Sequence, residues 1–321
     1  MIVLQTTWNW LIVVYLFLGG LSAGAYCTAA ILHLFAKGRF AATIKIGAWA
    51  ATITLAVGLL ALIADLENPL RAFLLWQSFS NLSSWMAIGA WLICVAFIVF
   101  LLTSLLLTEW SARLLGSVRF LERSRAAALK VLSVLGIALA LGVALYTGIL
   151  LQAAPGIPLW GSWLLPVLFT FSALDTGVAA VLIILLLFDK DSRRGQLGVS
   201  LERVTIVLIL LEGAALAAFF LTLLQGGRSE VLAASIILEG QLSWAFWLLL
   251  VCVGLAIPLL IAVIQQFMKG RHNRVLPLSG AFALLIGGFT LRYVIVAAGI
   301  HAALTHPVAE QAMHGFYFFV T

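Results

Sequence analysis

Three ionisable side chains stand deep inside long apolar runs. Asp175 lies eleven residues from Leu164 and thirteen from Phe188, and Glu212 lies eight from Val204 and twelve from Leu224. At about 1.5 Å per helical residue, both would sit near the midplane of a bilayer. A charge there costs at least about 2.5–3.5 kcal/mol, so such groups usually face a protein interior and mark a pathway. The two runs follow each other through a fifteen-residue connection, which allows the acids to meet. If they do, mutual repulsion keeps a proton on the pair, which suits proton transfer. The plainer reading is two neutral acids hydrogen-bonded to backbone. Arg292 stands seventeen residues into a third run and eight from its end, about 12 Å deep. A guanidinium stays charged and needs a counter-ion or a polar ligand. Asp65 and Glu67 are the candidates at similar depth, and a purely structural ion pair is the alternative.

A second group of polar residues falls at run ends. Asn9 opens the first run, Tyr146 lies five residues from the end of the fourth, and His301 follows the eighth. Asp65 and Arg71 bracket the start of the connection after the second. A pocket lined by Asn, Tyr, His and a carboxylate would hydrogen-bond the two oxygens of a quinone head group and relay its protons. This reading rests on spacing alone, since polar residues at membrane interfaces are common. A bis-histidine haem would need two imidazoles at one depth on facing helices. Of His33, His272, His301, His306 and His314, only His33 falls within a run. No haem or iron–sulfur cluster is therefore expected in this chain. Cys27, Cys94 and Cys252 are scattered through apolar runs and read as small core residues with no metal-binding spacing.

The elements that must hold these groups follow from composition. Hydrophobic residues make up 64% of 321, and charged residues only 9%. A soluble domain carries about 25% charged and about 45–50% apolar residues, so this protein cannot cover a water-facing surface. It is expected to be an all-α integral membrane protein, one polytopic domain over residues 1–321. A membrane span needs about 20 apolar helical residues. Eight runs qualify: Trp10–Phe35, Ile46–Ala64, Trp85–Thr108, Val131–Leu151, Leu164–Phe188, Val204–Leu224, Leu242–Phe267 and Val275–Ile300. The odd-numbered connections hold fifteen of the eighteen Lys and Arg residues, the even-numbered ones only Arg71 and Arg228. By the positive-inside rule both termini face outward, periplasmic in a bacterial inner membrane. The basic pI of about 9.5 is thus a topology signal and not a nucleic-acid footprint.

Trp8, Trp10, Trp76, Trp85, Trp160, Trp163, Trp244 and Trp247 all fall at the outer ends of runs, as an interfacial belt or a docking surface would. Met1–Trp8 has no Lys or Arg, and the run behind it is too long for a signal core, so no cleaved signal is expected. Val231–Leu238 is too short to span and reads as an interfacial or re-entrant helix. The third connection, mixed and basic, reads as a surface helix. Gly20-x-x-x-Gly24 fits close helix packing.

The order of motifs is more specific than any one of them. Span one reads WLIVVYLFLGGLSAGAY over 10–26, and span two ends Asp65-Leu66-Glu67-Asn68-Pro69-Leu70-Arg71. Then follow Asn81-Leu82-Ser83-Ser84-Trp85-Met86, Tyr146-Thr147-Gly148, Ile157-Pro158-Leu159-Trp160, LPVLFTFSALDTG over 165–177, and Gly287-Gly288-Phe289-Thr290-Leu291-Arg292-Tyr293. Over nearly its whole length the chain resembles the NrfD/PsrC family, quinone-reactive membrane subunits of polysulfide reductase-like and nitrite reductase-like complexes. The resemblance implies eight to ten transmembrane helices and no cofactor beyond menaquinone or ubiquinone. It also implies an outer ferredoxin-like partner carrying 4Fe–4S clusters, which links to a molybdopterin or multihaem catalytic subunit. Tyr146 and the Asp65 region would line the quinol site, with Arg292 nearby and Asn9 and His301 at its rim. Asp175, Glu212 and Glu67 would carry protons. Where the family often has a small polar residue this chain has Asp175, and its usual DLGRP segment reads Asp65-Leu66-Glu67-Asn68-Pro69.

Two functions follow. The first is a subunit that exchanges electrons between membrane quinol and an iron–sulfur partner, handling the coupled protons, with the terminal chemistry on another polypeptide. The second is a secondary transporter or proton channel built on the midplane acids Asp175 and Glu212.

Overall fold

The computed structural model describes residues 8–36, 39–65, 84–109, 119–154, 156–188, 194–267 and 274–299. Every regular element among them is helical. In hydrocarbon a helix satisfies its backbone groups within one segment, so long apolar runs have no cheaper conformation. The helices are α1 (Trp10–Phe35), α2 (Ala41–Ala64), α3 (Trp85–Leu106), α4 (Arg119–Gln152), α5 (Leu164–Phe188) and α6 (Arg194–Leu224). A short α7 (Arg228–Leu238) follows, then a π-helical segment, Ala245–Ala256, that runs directly into α8 (Ile257–Phe267), and finally α9 (Val275–Ala297). Eight helices are long and apolar enough to cross a membrane, with the π segment and α8 counted as one.

Helix does not stop where apolarity does. α6 begins ten residues before the apolar run that starts at Val204, and α4 twelve before Val131. The added turns are rich in Arg, Glu, Leu and Ala, all good helix formers, so the helices continue past the hydrocarbon into the interface. The basic stretch from Arg119 therefore opens α4, while residues 110–118 of the third connection, where a surface helix is expected, lie outside the described residues. The short segment in the sixth connection is a helix, α7, with Ala233, Ala234 and Ile237 buried.

Helices α1–α4 pack on one another in sequence, with α1 against both α2 and α4. α5, α6, α8 and α9 form a second ring, in which α5 touches α6 and α9. The two four-helix groups meet along α1 and α5. Gly24 makes that seam possible: a β-carbon there would strike the backbone of Ala173 and Gly177. Gly20, one turn earlier, faces Ala173 and the Arg292 guanidinium. The Gly-x-x-x-Gly spacing thus works as expected, letting two backbones touch. Gly254 and Gly287 repeat the device between the π segment and α9.

Three described basic side chains make contacts between helices near helix ends. Lys45 at the start of α2 pairs with Glu109 beyond α3 at 3.1 Å. Arg125 in α4 donates from Nε (2.9 Å) and Nη2 (2.6 Å) to the Leu106 carbonyl that ends α3, a cation closing a helix C-terminus. Arg203 in α6 donates to Gln266 of α8 at 2.9 Å. Of the cysteines, Cys27 is buried as expected, whereas Cys94 and Cys252 are exposed on the outer surface of the bundle.

Candidate functional site

Arg292 is fully buried, and its side chain reaches toward the middle of the bundle. The guanidinium donates through Nη1 to Ser172 Oγ (2.7 Å) and to the Gly288 carbonyl one turn back along α9 (2.7 Å). Nη2 donates to the Phe169 carbonyl at 3.4 Å, and the Phe169 ring lies 5.2 Å below the charge. Gly20 and Gly288 leave the room that this inward rotamer needs. A long cation near a span end would ordinarily turn out toward the interface. This one turns in, toward fixed acceptors.

Those acceptors lead to an acid. Glu212 lies beside Ser172 and within electrostatic reach of Arg292. Asp175 neighbours Glu212 across the α5–α6 contact. Asp175 is 1% and Glu212 3% exposed, and neither oxygen of Asp175 has a hydrogen-bond partner among the described residues. The acids thus meet as their spacing suggested. Among the described residues no ion pair joins Arg292 to Asp65, and the acid that acts on its charge is Glu212; Glu67 lies outside the described residues. Sequence spacing missed Ser172 because a serine in an apolar helix ordinarily bonds its own backbone. Its placement three residues before Asp175 on one face of α5 was the available signal.

The second group is more dispersed. Asn9 caps the start of α1 without a side-chain bond and is exposed. Asp65 follows α2, half-buried, with Oδ1 enclosed and unpartnered among the described residues. Tyr146 is 5% exposed, and its ring fills the space left by Gly89 of α3. It sits close to Tyr15 of α1. Tyr15 stands five residues inside the start of α1 and Tyr146 six inside the end of α4, about 8–9 Å below the rim that Asn9 and Asp65 occupy. Tyr15 is a neighbour that sequence spacing did not supply. Among the described residues no hydrogen bond joins Arg292 to Tyr146. His301 lies outside the described residues. No group of three His, Cys, Asp or Glu side chains gathers among the described residues.

This arrangement of eight spans, with a buried Arg on the last and acids on the fifth and sixth, can be compared with known proteins. The family model described as "Polysulphide reductase, NrfD" matches residues 4–303. The chain belongs to the NrfD family. It is 34% identical over 303 residues to the C chain of polysulfide reductase from Wolinella succinogenes, covering 91% of this chain and 94% of that one. It is 28% identical to protein NrfD of Escherichia coli over the same shares. The C subunit of selenate reductase from Mesobacillus selenatarsenatis is 26% identical, over 91% of this chain and 73% of that protein. As an NrfD-family protein, the chain is a multi-pass membrane protein of the kind found in reductase complexes.

The tryptophans of this NrfD protein divide into two sets. Trp10, Trp85, Trp163, Trp244 and Trp247 are exposed, as a belt requires. Trp160 is not: it is fully buried, and its Nε1 donates to the Ile295 carbonyl of α9 at 2.9 Å. Trp8 is half-buried, its ring 5.0 Å from that of Trp160. These two fasten the start of α1 and the turn before α5 to α9, so they leave the docking surface that spacing assigned them to. Trp76 lies outside the described residues.

Proposed function

We propose that this chain is the quinol-reactive membrane subunit of a respiratory reductase complex. In this reading quinol is bound at the Trp-bearing end and its two electrons pass to an iron–sulfur subunit docked there. Terminal reduction takes place on a further catalytic subunit. The observation that carries the reading is the buried cluster of Arg292, Ser172 and Glu212 with Asp175 beside it, inside a membrane bundle whose relatives are named as reductase subunits. Fixed charge is too costly in hydrocarbon to serve packing alone when a serine and two apolar residues would fill the space.

Quinol oxidation releases two protons with its two electrons, so a site needs acceptors near the two hydroxyls. The enclosed Asp65 Oδ1, which lacks a partner among the described residues, suits one hydroxyl, and Tyr146 stands below it to orient the other. Asn9 and His301 belong to the rim in this reading. Arg292 offsets one negative charge of the carboxylate pair, so one exchangeable proton remains shared between Asp175 and Glu212. That proton serves relay, with Glu67 as a further acid on the way out. With both termini periplasmic, the exposed tryptophans would flank the docked partner.

The test is purification of the complex under mild detergent, followed by quinol oxidation. Co-purification of an iron–sulfur protein, and oxidation lost in Tyr146→Phe or Arg292→Leu, supports the reading. A chain that purifies alone and moves a solute across liposomes would instead support a transporter using Asp175 and Glu212.

A further inference from the structure

The early start of α6 brings a third acid into the bundle. Glu202 is 6% exposed, and Thr205, one turn further in, is 3% exposed. Glu202 Oε2 and Thr205 Oγ1 are both enclosed and have no hydrogen-bond partner among the described residues. Buried polar atoms are normally satisfied, and those without a protein partner are usually met by ordered water. Both atoms line one cavity of about 20 Å³, room for a single water. Leu182 of α5, Pro258 and Ala262 of α8, and Gly280 of α9 close it.

The cavity lies on a line between two polar regions. Toward the basic end, Gln265 follows Ala262 by one turn of α8, and its Nε2 is also enclosed and unpartnered among the described residues. Toward the centre, Glu202, Thr205, Ile209 and Glu212 share one face of α6, spaced three, four and three residues apart. Only Ile209, buried, separates Thr205 from the Glu212–Asp175 pair, an interval of about 10 Å along the helix. Arg203 does not neutralise Glu202, because its Nε is turned to Gln266.

We infer that this cavity is a hydrated proton-loading site, in which Glu202 takes a proton from water at the basic end and Thr205 orients the water that passes it inward. The inference rests on reading Asp175 and Glu212 as proton carriers. The step is a proton transfer alone. An O–H bond of a hydronium ion breaks as one forms on the Glu202 carboxylate, and no atom changes oxidation state. Onward transfer past Ile209 requires water to enter that interval, so loading and onward transfer are separate events.

The test uses the assembled complex in liposomes with a pH dye on the basic-loop side, with proton uptake measured per quinol oxidised. Glu202→Gln removes the acid, Thr205→Val removes the hydroxyl at equal volume, and Ala262→Leu fills the cavity. Each is expected to lower uptake at least fivefold, and Glu202→Asp to restore at least half of it. Unchanged uptake in Glu202→Gln and Ala262→Leu, with loss in Asp175→Asn, overturns the loading site and leaves the carboxylate pair standing. No uptake from that side in the wild type, or none lost in Asp175→Asn, overturns both.

Discussion

Arg292 Nη1 lies 2.7 Å from Ser172 Oγ, and Glu212 lies beside that serine, so one hydroxyl stands between the buried cation of α9 and the buried acid of α6. The cluster draws on three helices of the second four-helix group, α5, α6 and α9. It explains why the guanidinium points inward. The Ser172, Gly288 and Phe169 oxygens are fixed by helices, whereas an outward rotamer would leave Glu212 without a partner.

Removing the cation should therefore cost more than removing the acid. Arg292→Leu strands Glu212 and is expected to destabilise the protein by about 3–5 kcal/mol. Adding Glu212→Gln to that variant should recover some of the loss, because the two residues are coupled. Thermal unfolding of the purified protein in detergent reads both. A loss in the double variant equal to the sum of the two single losses would show that the two charges do not interact.

Ser172→Ala removes a buried acceptor of the Arg292 guanidinium and should cost about 1–3 kcal/mol. Thr176→Val, one turn away, removes a hydroxyl that bonds only the backbone of its own helix. It should cost less than Ser172→Ala in the same unfolding assay.

The α1–α5 seam makes a steric prediction. Gly24→Leu must push apart a pair of touching backbones and should sharply reduce the folded yield in membranes. Gly213→Ala, where an added β-carbon meets nothing within 4 Å, should change stability by no more than about 0.5 kcal/mol. Membrane-fraction yield and melting temperature of both variants check the contrast.

How much of this could be read from sequence varies with the physics involved. Spans were legible because hydrocarbon demands long apolar helices, and Trp10–Phe35 and Leu164–Phe188 match the observed α1 and α5 at both ends. The start of α6 was not, since apolarity marks the hydrocarbon edge and not the end of the helix, and Glu202 was hidden by that difference. The meeting of Asp175 with Glu212 followed from adjacent spans at equal depth. The partner of Arg292 did not follow, because depth fixes a layer but not the direction in which a long side chain turns. Trp160 failed for a related reason: its position at a span end gave its depth and not its face.

Trp160→Phe should lose the bond to Ile295 and about 1–3 kcal/mol of stability, while Trp163→Phe, exposed, should leave stability within about 0.5 kcal/mol. Melting temperatures in one detergent check this pair.

Quinol oxidation by the assembled complex in the Tyr146→Phe variant tests the central claim most directly. Phenylalanine keeps the ring packed on Gly89 and removes only the hydroxyl. Loss of a hydrogen bond worth about 1.4–2.7 kcal/mol to the transition state corresponds to about a 10- to 100-fold fall in rate. The account predicts that fall at unchanged melting temperature and unchanged partner content. Wild-type oxidation in both Tyr146→Phe and Arg292→Leu complexes would contradict it.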